Sequence, residues 1–248
     1  MYRAAVESQT LPEWPMRAAL FLDVDGTLLE FADKPHLVER PPRFLALLER
    51  LAGETPVAFI SGRSIVDLDR ILAPHHFPLA GIHGAERRNH AGQQSLVTAD
   101  PAALAEVRAV IEAFRAKHDG LVLEDKAVGL ALHYRLRPDL DEDVHALERQ
   151  LDEMLPAGYG VMRGKMLIEV YTSSVDKGTA IREFMDEEPF AGATPVFIGD
   201  DVTDEAGFAV VNALGGVSIK VDRGDSVAQW RLPDVNTVIG WLEQVLPD

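Results

Sequence analysis

Asp23 and Asp25 are two carboxylates separated by one residue, and they directly follow the apolar run Ala18–Leu22. Side chains two residues apart in an extended backbone point to the same side, so the two carboxylates should converge. Converging carboxylates raise each other's pKa, and a divalent cation relieves the repulsion. Oxygen ligands suit magnesium. The motif Asp23-Val24-Asp25-Gly26 also fits an Asp-Gly turn or a calcium loop, so it leaves the chemistry open when taken alone.

Polar residues that could act on a phosphate follow two further apolar runs. Residues 56–60 end at Ser61, and residues 195–198 lead to Asp200. Ligands of an open α/β sheet bind beyond the carboxyl ends of its strands, where these groups would meet. Lys177 stands at the start of a predicted helix, where the helix dipole disfavours a cation, so it needs another partner. Carboxylates, a hydroxyl and an ammonium are the groups that phosphoryl transfer through a covalent intermediate requires.

The elements that carry these residues alternate between short apolar strands and helices. The sequence predicts strands at residues 18–22, 56–60, 79–84, 195–198 and 216–221. It predicts helices at residues 44–51, 65–72, 177–185 and 235–246, with Asp176 capping the third. This alternation is typical of an α/β protein with a doubly wound parallel sheet, a Rossmann-like core.

The pattern changes between residues 101 and 170, where the order becomes helix, hairpin, helix, hairpin. The predicted helices here are 101–117 and 144–155, and the predicted strands are 121–124, 129–135, 160–163 and 166–170. We interpret this part as an inserted α+β domain. The predicted organisation is an N-terminal arm at 1–14, a core at 15–100 and 171–248, and the insertion at 101–170.

Composition limits the classes of partner. The chain has 248 residues, of which 47% are hydrophobic and 26% charged, as in an ordinary globular protein. A formal net charge of −16 argues against nucleic-acid or anionic-membrane surfaces, because both require basic patches. The sequence contains no cysteine, which excludes disulfides and thiolate metal sites. With no signal-peptide pattern or long apolar run, we expect a cytoplasmic protein that binds neither nucleic acid nor membrane.

The motifs together resemble a known superfamily. They resemble, in order, the four motifs of the haloacid dehalogenase-like phosphatases: Asp23-Val24-Asp25-Gly26-Thr27, Ser61, Lys177 and Gly199-Asp200-Asp201-x-x-Asp204. Three local features are similar to the trehalose-6-phosphate phosphatase family: Gly81-Ile82-His83-Gly84-Ala85-Glu86, Glu124-Asp125-Lys126 with His133-Tyr134-Arg135, and Gly164-Lys165-x-x-x-Glu169. The resemblance implies magnesium-dependent hydrolysis of trehalose 6-phosphate in trehalose biosynthesis, through an aspartyl-phosphate.

The resemblance also implies roles for the motif residues. Asp23 would be the nucleophile, and Asp25 would act first as general acid and then as general base. Mg²⁺ would be held by an Asp23 carboxylate oxygen, the Asp25 backbone carbonyl and Asp200, with Asp204 supporting the site. Asp201 is expected to cap a turn or helix and not to bind the metal. The residues that would hold the phosphoryl group, or orient Asp25 and its loop, are Ser61, Lys177 and Thr27.

The inserted α+β domain would then be a mobile cap that recognises the sugar. A sugar offers hydroxyls and no charge, so charged side chains bind it through strong, directional hydrogen bonds. The substrate-binding candidates in the cap are Glu124, Lys126, Arg163, Lys165 and Glu169, with His133 a weaker one. In the core, the substrate-binding candidates are Thr27, Gly62, Arg63 and His83.

Other functions fit the same motifs. Within the enzyme class, the alternatives are a sucrose-phosphate or mannosyl-3-phosphoglycerate type phosphatase and a sugar phosphomutase. Outside it, a catalytically silent sugar-phosphate sensor would need a damaged site, whereas Asp23, Asp25, Lys177 and Asp200 are all present. Glu124 and Lys126 also fit a solvated hairpin face. We expect a monomer that acts on a small-molecule sugar phosphate.

Overall fold

The chain divides into two compact units. The computed structural model describes residues 11–30, 40–41, 43–126, 128–164 and 166–246. The core unit comprises the chain up to Gln94 and from Asp176 onwards, and the inserted unit comprises Ser95–Val175. The predicted insertion at residues 101–170 falls inside the inserted unit. Within the predicted arm, the described residue Trp14 packs edge-on against Trp241, with ring centroids 5.6 Å apart.

The helices and strands follow in chain order. The strands are β1 (Ala18–Leu22), β2 (Val57–Ile60), β3 (Leu79–Gly81), β4 (Glu86–Arg88), β5 (Gln94–Leu96), β6 (Val122–Lys126), β7 (Gly129–His133), β8 (Tyr159–Gly164), β9 (Leu167–Thr172), β10 (Thr194–Gly199), β11 (Val217–Val221) and β12 (Trp230–Leu232). The helices are α1 (Phe44–Glu54), α2 (Ile65–Leu72), α3 (Pro101–Arg115), α4 (Asp141–Met154), α5 (Lys177–Met185), α6 (Glu205–Ala213) and α7 (Val235–Val245). In the described part of the chain, no helix has the length and apolar character that crossing a membrane requires.

The larger sheet has the order β12-β11-β10-β1-β2-β3-β4-β5. The strands from β12 to β3 pair in parallel, and β4 pairs antiparallel with β3. Along β1, Leu20 and Leu22 face an apolar layer shared with α1, α2 and α7. Phe21, on the opposite face, packs against α5 and α6. Because helices cover both faces, β1 is apolar along its whole length. The predicted α/β fold, a doubly wound sheet, is confirmed.

The inserted unit has an antiparallel sheet in the order β6-β7-β9-β8. Leu130 and Leu132 of β7, with Ile168 and Val170 of β9, pack against α3 and α4. Side chains alternate along a strand, so the residues between these four lie on the other face of the sheet. The insertion is therefore an α+β layer pair, as predicted.

Four described elements are absent from the sequence prediction: β4, β5, β12 and α6. The three strands have three residues each, and β4 consists of charged residues, so none shows an apolar alternation. The predicted strand 79–84 was too long. The chain leaves it after Gly81, where Ile82, His83 and Gly84 take positive φ angles of 47°, 56° and 112°. The resulting turn lies against the loop after β2, next to the predicted site.

Candidate active site

Two of the predicted carboxylates meet because their strands are neighbours. Asp23 follows β1 and Asp200 follows β10, and these strands pair in parallel with Leu22 opposite Ile198. The Asp23 N–H continues the pairing by donating to the Ile198 carbonyl at 3.0 Å. The carboxyl ends of both strands therefore open onto one edge of the sheet, which is where α/β proteins bind their ligands.

Lys177 is buried between two carboxylates. Its Nζ lies 3.0 Å from Asp23 Oδ1 and 2.6 Å from Asp204 Oδ1. The residue is 2% exposed, against 4% for Asp23 and 0% for Asp204. Helix α5 begins at Lys177 because Asp176 caps it, accepting a hydrogen bond from the Thr179 N–H at 2.6 Å, as predicted. These two ion pairs supply the partner that a cation at a helix N-terminus requires.

The carboxylates carry more negative charge than Lys177 can balance. Burial raises the pKa of Asp23 well above its ordinary value; Lys177 opposes this effect, and Asp204 and Asp200 add to it. Burial, together with Asp204, raises the pKa of Asp200 to about 6. Burial lowers the pKa of Lys177, but the two carboxylates outweigh it and the net shift is upward. A further cation would stabilise the ionised carboxylates.

The carboxylate cluster fits a divalent cation. One oxygen from each of Asp23, Asp200 and Asp204 lies within 4.8 Å of the others. The oxygens of Asp204 also serve the protein itself: Oδ1 accepts from Lys177, and Oδ2 accepts from the N–H groups of Asp200 and Asp201 at 2.9 and 2.8 Å. Asp204 therefore fixes the loop and Lys177, while Asp23 and Asp200 offer hard oxygen ligands.

The loop after β10 ends in a capped 3-10 turn. The Asp201 carboxylate accepts from the Val202 N–H at 2.7 Å and from the Asp204 N–H, and the Asp204 carboxylate accepts from the Asp201 N–H at 2.8 Å, so the two residues form a capping box. The prediction that Asp201 caps a turn is confirmed. Its carboxylate is thereby used within the turn and outside the acidic cluster.

Arg63 forms a bidentate ion pair with Asp25. Its Nε lies 2.5 Å from Asp25 Oδ2, and its Nη2 lies 2.6 Å from Oδ1. The side chains are 13% and 21% exposed, and the hydrogen bonds to Asp25 raise the pKa of Arg63. The sequence analysis assigned Arg63 to the substrate, whereas the structure pairs it with the second aspartate of the first motif. A fork of two N–H groups fixes the plane of the Asp25 carboxylate.

The loop that carries Ser61 is held by the turn after β3. His83 N–H donates to the Ser61 carbonyl and Ile82 N–H donates to the Arg63 carbonyl, both at 2.9 Å. The His83 ring lies so close to Gly62 that a Cβ there would stand 2.7 Å from its Cε1. Ser61 is buried, and its Oγ accepts from the Arg63 N–H at 3.2 Å, so its hydroxyl hydrogen is available to donate.

Thr27 lies beside Asp200. It is 0% exposed, and its hydroxyl donates to Asp200 Oδ1 over a long 3.4 Å. The contact of Thr27 with the substrate stays a prediction, and the hydroxyl is directed at Asp200. The reason is topological: the turn after β1 brings Thr27 alongside the loop that follows the neighbouring strand β10.

Three cap candidates share the face of the inserted sheet opposite its apolar core. Glu124 on β6 and Glu169 on β9 both pair with Ala131 of β7, which places them in one row. Lys126 lies one step along that face, with its Nζ 2.9 Å from Glu169 Oε2. The weaker candidate His133 is bonded through Nε2 to Glu124 Oε2 at 2.8 Å. We name Glu124, Lys126 and Glu169 the polar sheet face. The candidate Lys165 lies outside the described residues.

Arg163 does not belong to the polar sheet face. It pairs with Ile168 of the apolar core, so strand alternation places it on the helix-covered face. Its guanidinium donates to the Asp141 carboxylate at the start of α4 and to the Tyr134 hydroxyl. The role of Arg163 as a sugar contact stays a prediction, and the apolar residue Val161, two positions earlier, is the sequence signal for the face that Arg163 occupies.

Comparison with known proteins identifies the chain. A family model described as Trehalose-phosphatase matches residues 21–235, which include the sites of all four motifs. The chain belongs to the trehalose-phosphatase family. A trehalose-6-phosphate phosphatase from Escherichia coli is 42% identical over 236 residues, covering 94% of this chain and 88% of that protein. The protein is accordingly a phosphoric monoester hydrolase.

Solved structures agree with the fold of this protein. A structure of trehalose-6-phosphate phosphatase from Aspergillus fumigatus is 28% identical, with a TM-score of 0.71 and 92% of each chain covered. A haloacid dehalogenase-like hydrolase from Bacteroides thetaiotaomicron is 16% identical, with a TM-score of 0.70 over 92% of this chain and 99% of that one. The second likeness shows the fold alone, which is the haloacid dehalogenase-like fold expected from the motifs.

Two residues near the site were given no role from the sequence. Glu86 accepts from the Ile65 N–H at 2.7 Å, and so binds the first turn of α2 just after the Ser61 loop. Lys220 on β11 donates from Nζ to the backbone carbonyl of Asp200. A lysine inside an otherwise buried strand was the available signal for the second residue, because lysine is almost never buried without a partner.

Proposed function

We propose that the protein hydrolyses trehalose 6-phosphate to trehalose and phosphate through an aspartyl-phosphate on Asp23, with Mg²⁺ as cofactor. The observation that carries the proposal is the buried Lys177 between Asp23 and Asp204, with Asp200 adjacent. The substrate is that of the Escherichia coli relative, a trehalose-6-phosphate phosphatase. We further propose a cytoplasmic monomer whose partner is the small-molecule sugar phosphate.

Mg²⁺ would be held by a carboxylate oxygen of Asp23, the backbone carbonyl of Asp25 and the carboxylate of Asp200. When bound, it neutralises charge on the phosphoryl oxygens and orients the phosphate for in-line attack. Asp204 keeps Lys177 and the Asp200 loop in place through its own hydrogen bonds. The metal and Lys177 together let a protein of net charge −16 accept an anionic substrate.

In the first half-reaction, a carboxylate oxygen of Asp23 attacks phosphorus, and the bond from phosphorus to the sugar oxygen breaks. Lys177 keeps Asp23 ionised, and Ser61 and Lys177 donate hydrogen bonds to the phosphoryl oxygens. Asp25 transfers its proton to the departing sugar oxygen, which leaves as a hydroxyl of trehalose. The products of this step are trehalose and phosphorylated Asp23.

In the second half-reaction, water attacks the phosphorus of the aspartyl-phosphate. Asp25, now ionised, takes a proton from that water, and the bond between phosphorus and Asp23 breaks. The guanidinium of Arg63 stabilises this ionised form of Asp25. The proton that Asp25 takes from this water is the one that it gives to the next departing sugar oxygen.

The inserted unit acts as the cap of the enzyme, and its polar sheet face binds the sugar hydroxyls. Glu124 and Glu169 accept hydrogen bonds from hydroxyls, and Lys126 donates them. The ion pair between Lys126 and Glu169 holds two of these groups 2.9 Å apart. Closure of a cap excludes bulk water and completes the site.

Phosphate release from a panel of substrates tests the proposed function. The panel is trehalose 6-phosphate, sucrose 6-phosphate, glucose 6-phosphate and mannosyl-3-phosphoglycerate. We expect kcat/KM for trehalose 6-phosphate to exceed that for the others by roughly 10²-fold or more, because unpaired cap groups penalise the wrong sugar. Chelation with EDTA should stop release, and added Mg²⁺ should restore it.

The other outcomes separate the alternatives. A broad or displaced preference would keep the core chemistry and remove trehalose 6-phosphate as substrate. Release from no member of the panel would favour a phosphomutase or a silent sensor. Full activity in EDTA would contradict the metal site.

We expect Glu169 to contribute to binding of the sugar and not to the reaction at phosphorus. We expect Glu169→Ala to lower kcat/KM for trehalose 6-phosphate by roughly 30-fold, since a charge-assisted hydrogen bond to a hydroxyl is lost. With p-nitrophenyl phosphate the change should stay within about threefold, because that substrate has no sugar to bind. Initial rates on both substrates measure the ratio.

Asp125→Asn is the matched control for Glu169. Asp125 is a carboxylate of the same sheet, but it lies in the row of Leu130 and Val170 and binds Arg108 of α3. The variant Asp125→Asn should therefore leave kcat/KM unchanged for both substrates. Equal losses on the two substrates for Glu169→Ala would exclude Glu169 from sugar recognition.

A further inference from the structure

Lys220 is a buried cation beside the acidic cluster. It lies on β11 in register with Gly199 of β10, the residue before Asp200, and it is 6% exposed. Its Nζ donates a hydrogen bond to the backbone carbonyl of Asp200. Neither half-reaction described above uses this side chain.

The burial of Lys220 calls for an explanation. Removing an ammonium from water costs free energy unless it is paired and hydrogen-bonded. Among the residues that the structure describes, no carboxylate forms an ion pair with Lys220, whereas Lys177 has two. Lys220 donates to the backbone carbonyl of Asp200, which is one of the proposed metal ligands. The position of the ammonium is therefore best explained by what it does to Asp200.

The backbone of Asp200 is held by charged side chains on both sides. Its N–H donates to Asp204 Oδ2 at 2.9 Å, and its carbonyl accepts from Lys220. The preceding residue, Gly199, is in close contact with Asp204: a side-chain Cβ at position 199 would lie only 2.4 Å from Asp204 Cγ. Because its N–H and its carbonyl are both bound to buried side chains, the backbone of Asp200 has little freedom to change its φ and ψ angles.

We propose that Lys220 is a positioning residue for the metal ligand Asp200. By holding the Asp200 carbonyl, it aims the carboxylate at the point where Asp23 also presents an oxygen. This inference rests on the metal site of the proposed function. Groups that orient a ligand without touching the metal contribute strongly to metal affinity, because they remove the cost of ordering the ligand on binding.

The charge of Lys220 predicts the opposite effect. An ammonium close to a cation site repels the cation, so a side chain that acted through its charge alone would weaken metal binding. Its removal would then tighten binding. The sign of the change in Mg²⁺ affinity thus distinguishes positioning of Asp200 from a simple charge effect.

Calorimetric titration of the substrate-free protein with MgCl₂ tests the inference without relying on turnover. We expect Lys220→Met, which keeps the length of the side chain but removes the donor, to raise the Mg²⁺ Kd by roughly 10- to 100-fold. Lys220→Arg retains a donor and should stay within about threefold of the wild type. If Lys220→Met fails to fold, as judged by circular dichroism, Lys220→Leu, which also lacks a donor, replaces it with the same expected direction.

Ser218→Ala is the matched control. Ser218 lies two residues earlier on the same face of β11 and is buried, but its hydroxyl bonds to Asn212 and to the Gln229 N–H. Its Mg²⁺ Kd should equal that of the wild type. An unchanged or lower Kd for Lys220→Met, or an equal rise for Ser218→Ala, would overturn the role of Lys220 alone. No Mg²⁺ binding by the wild type would overturn the metal site itself and this inference with it.

Discussion

Asp23→Asn should abolish turnover of every phosphate monoester, with a loss of roughly 10⁴-fold or more in kcat. The amide is a far weaker nucleophile than the carboxylate and cannot form a stable phosphorylated intermediate. The fold should survive, because the amide oxygen still accepts from Lys177 and Asp204 still pairs with the ammonium. Initial rates on trehalose 6-phosphate and p-nitrophenyl phosphate, with circular dichroism for the fold, check this expectation.

The control for Asp23 is Asp201→Asn, which changes a carboxylate in the loop of Asp200 that is exposed and serves only to cap a turn. It should retain activity within about threefold, since a cap contributes only ~1 kcal/mol of stability. Residual activity of Asp23→Asn above about one per cent, once deamidation is excluded by mass spectrometry, would refute the nucleophile assignment.

Lys177→Met should damage both stability and turnover. It leaves Asp23 and Asp204 buried without their cation, and breaking a buried ion pair in this way costs about 3–5 kcal/mol in the free energy of unfolding. Turnover should fall by roughly 10³-fold, because the phosphoryl group also loses a positive ligand. Urea unfolding and initial rates measure the two effects.

The stability deficit of Lys177→Met should depend on pH. Lys177 lowers the pKa of Asp23, so its removal raises that pKa further above the unfolded value. A group with a raised folded pKa contributes stability when protonated and loses it as the pH rises through that pKa. The deficit should therefore be smaller at pH 5 than at pH 8.

A surface ion pair provides the comparison for Lys177. Arg43 lies 3.6 Å from Glu243 with its side chain 62% exposed, so Arg43→Met should change the free energy of unfolding by less than about 1 kcal/mol at either pH. A deficit of that size for Lys177→Met, or one that grows at acidic pH, would contradict the buried charge balance described above.

Helix starts and buried strands were predictable because their signals are local. The bounds of α5 were predicted to the residue, since Asp176 caps the first turn and Met185 closes the apolar pattern. The strand β1 was predicted equally well from its uninterrupted apolar run. By contrast, the sequence of β4 is typical of a polar loop. Its three residues form a strand because they pair with β3, and their own pattern does not indicate one.

The composition of the site was readable from the sequence, but its pairings were not. Asp25 and Arg63 are 38 positions apart in sequence, and only the turn geometry after β1 and β2 brings them together. The hydrogen bond from Thr27 to Asp200 likewise forms only because β10 is the strand next to β1. For Arg163, the face of β8 was encoded in the alternation with Val161, a signal that the resemblance to a motif does not consider.

The hydrogen bonds of Asp204 have a consequence for selectivity among ions. Both of its oxygens are held, by Lys177 on one side and by two backbone N–H groups on the other. A carboxylate fixed in this way cannot swing round to become an additional or bidentate ligand. Ca²⁺ needs about six to eight oxygens and a pliable shell, whereas Mg²⁺ accepts few protein ligands and completes its octahedron with water. We therefore expect the proposed metal site to bind Mg²⁺ in preference to larger ions such as Ca²⁺.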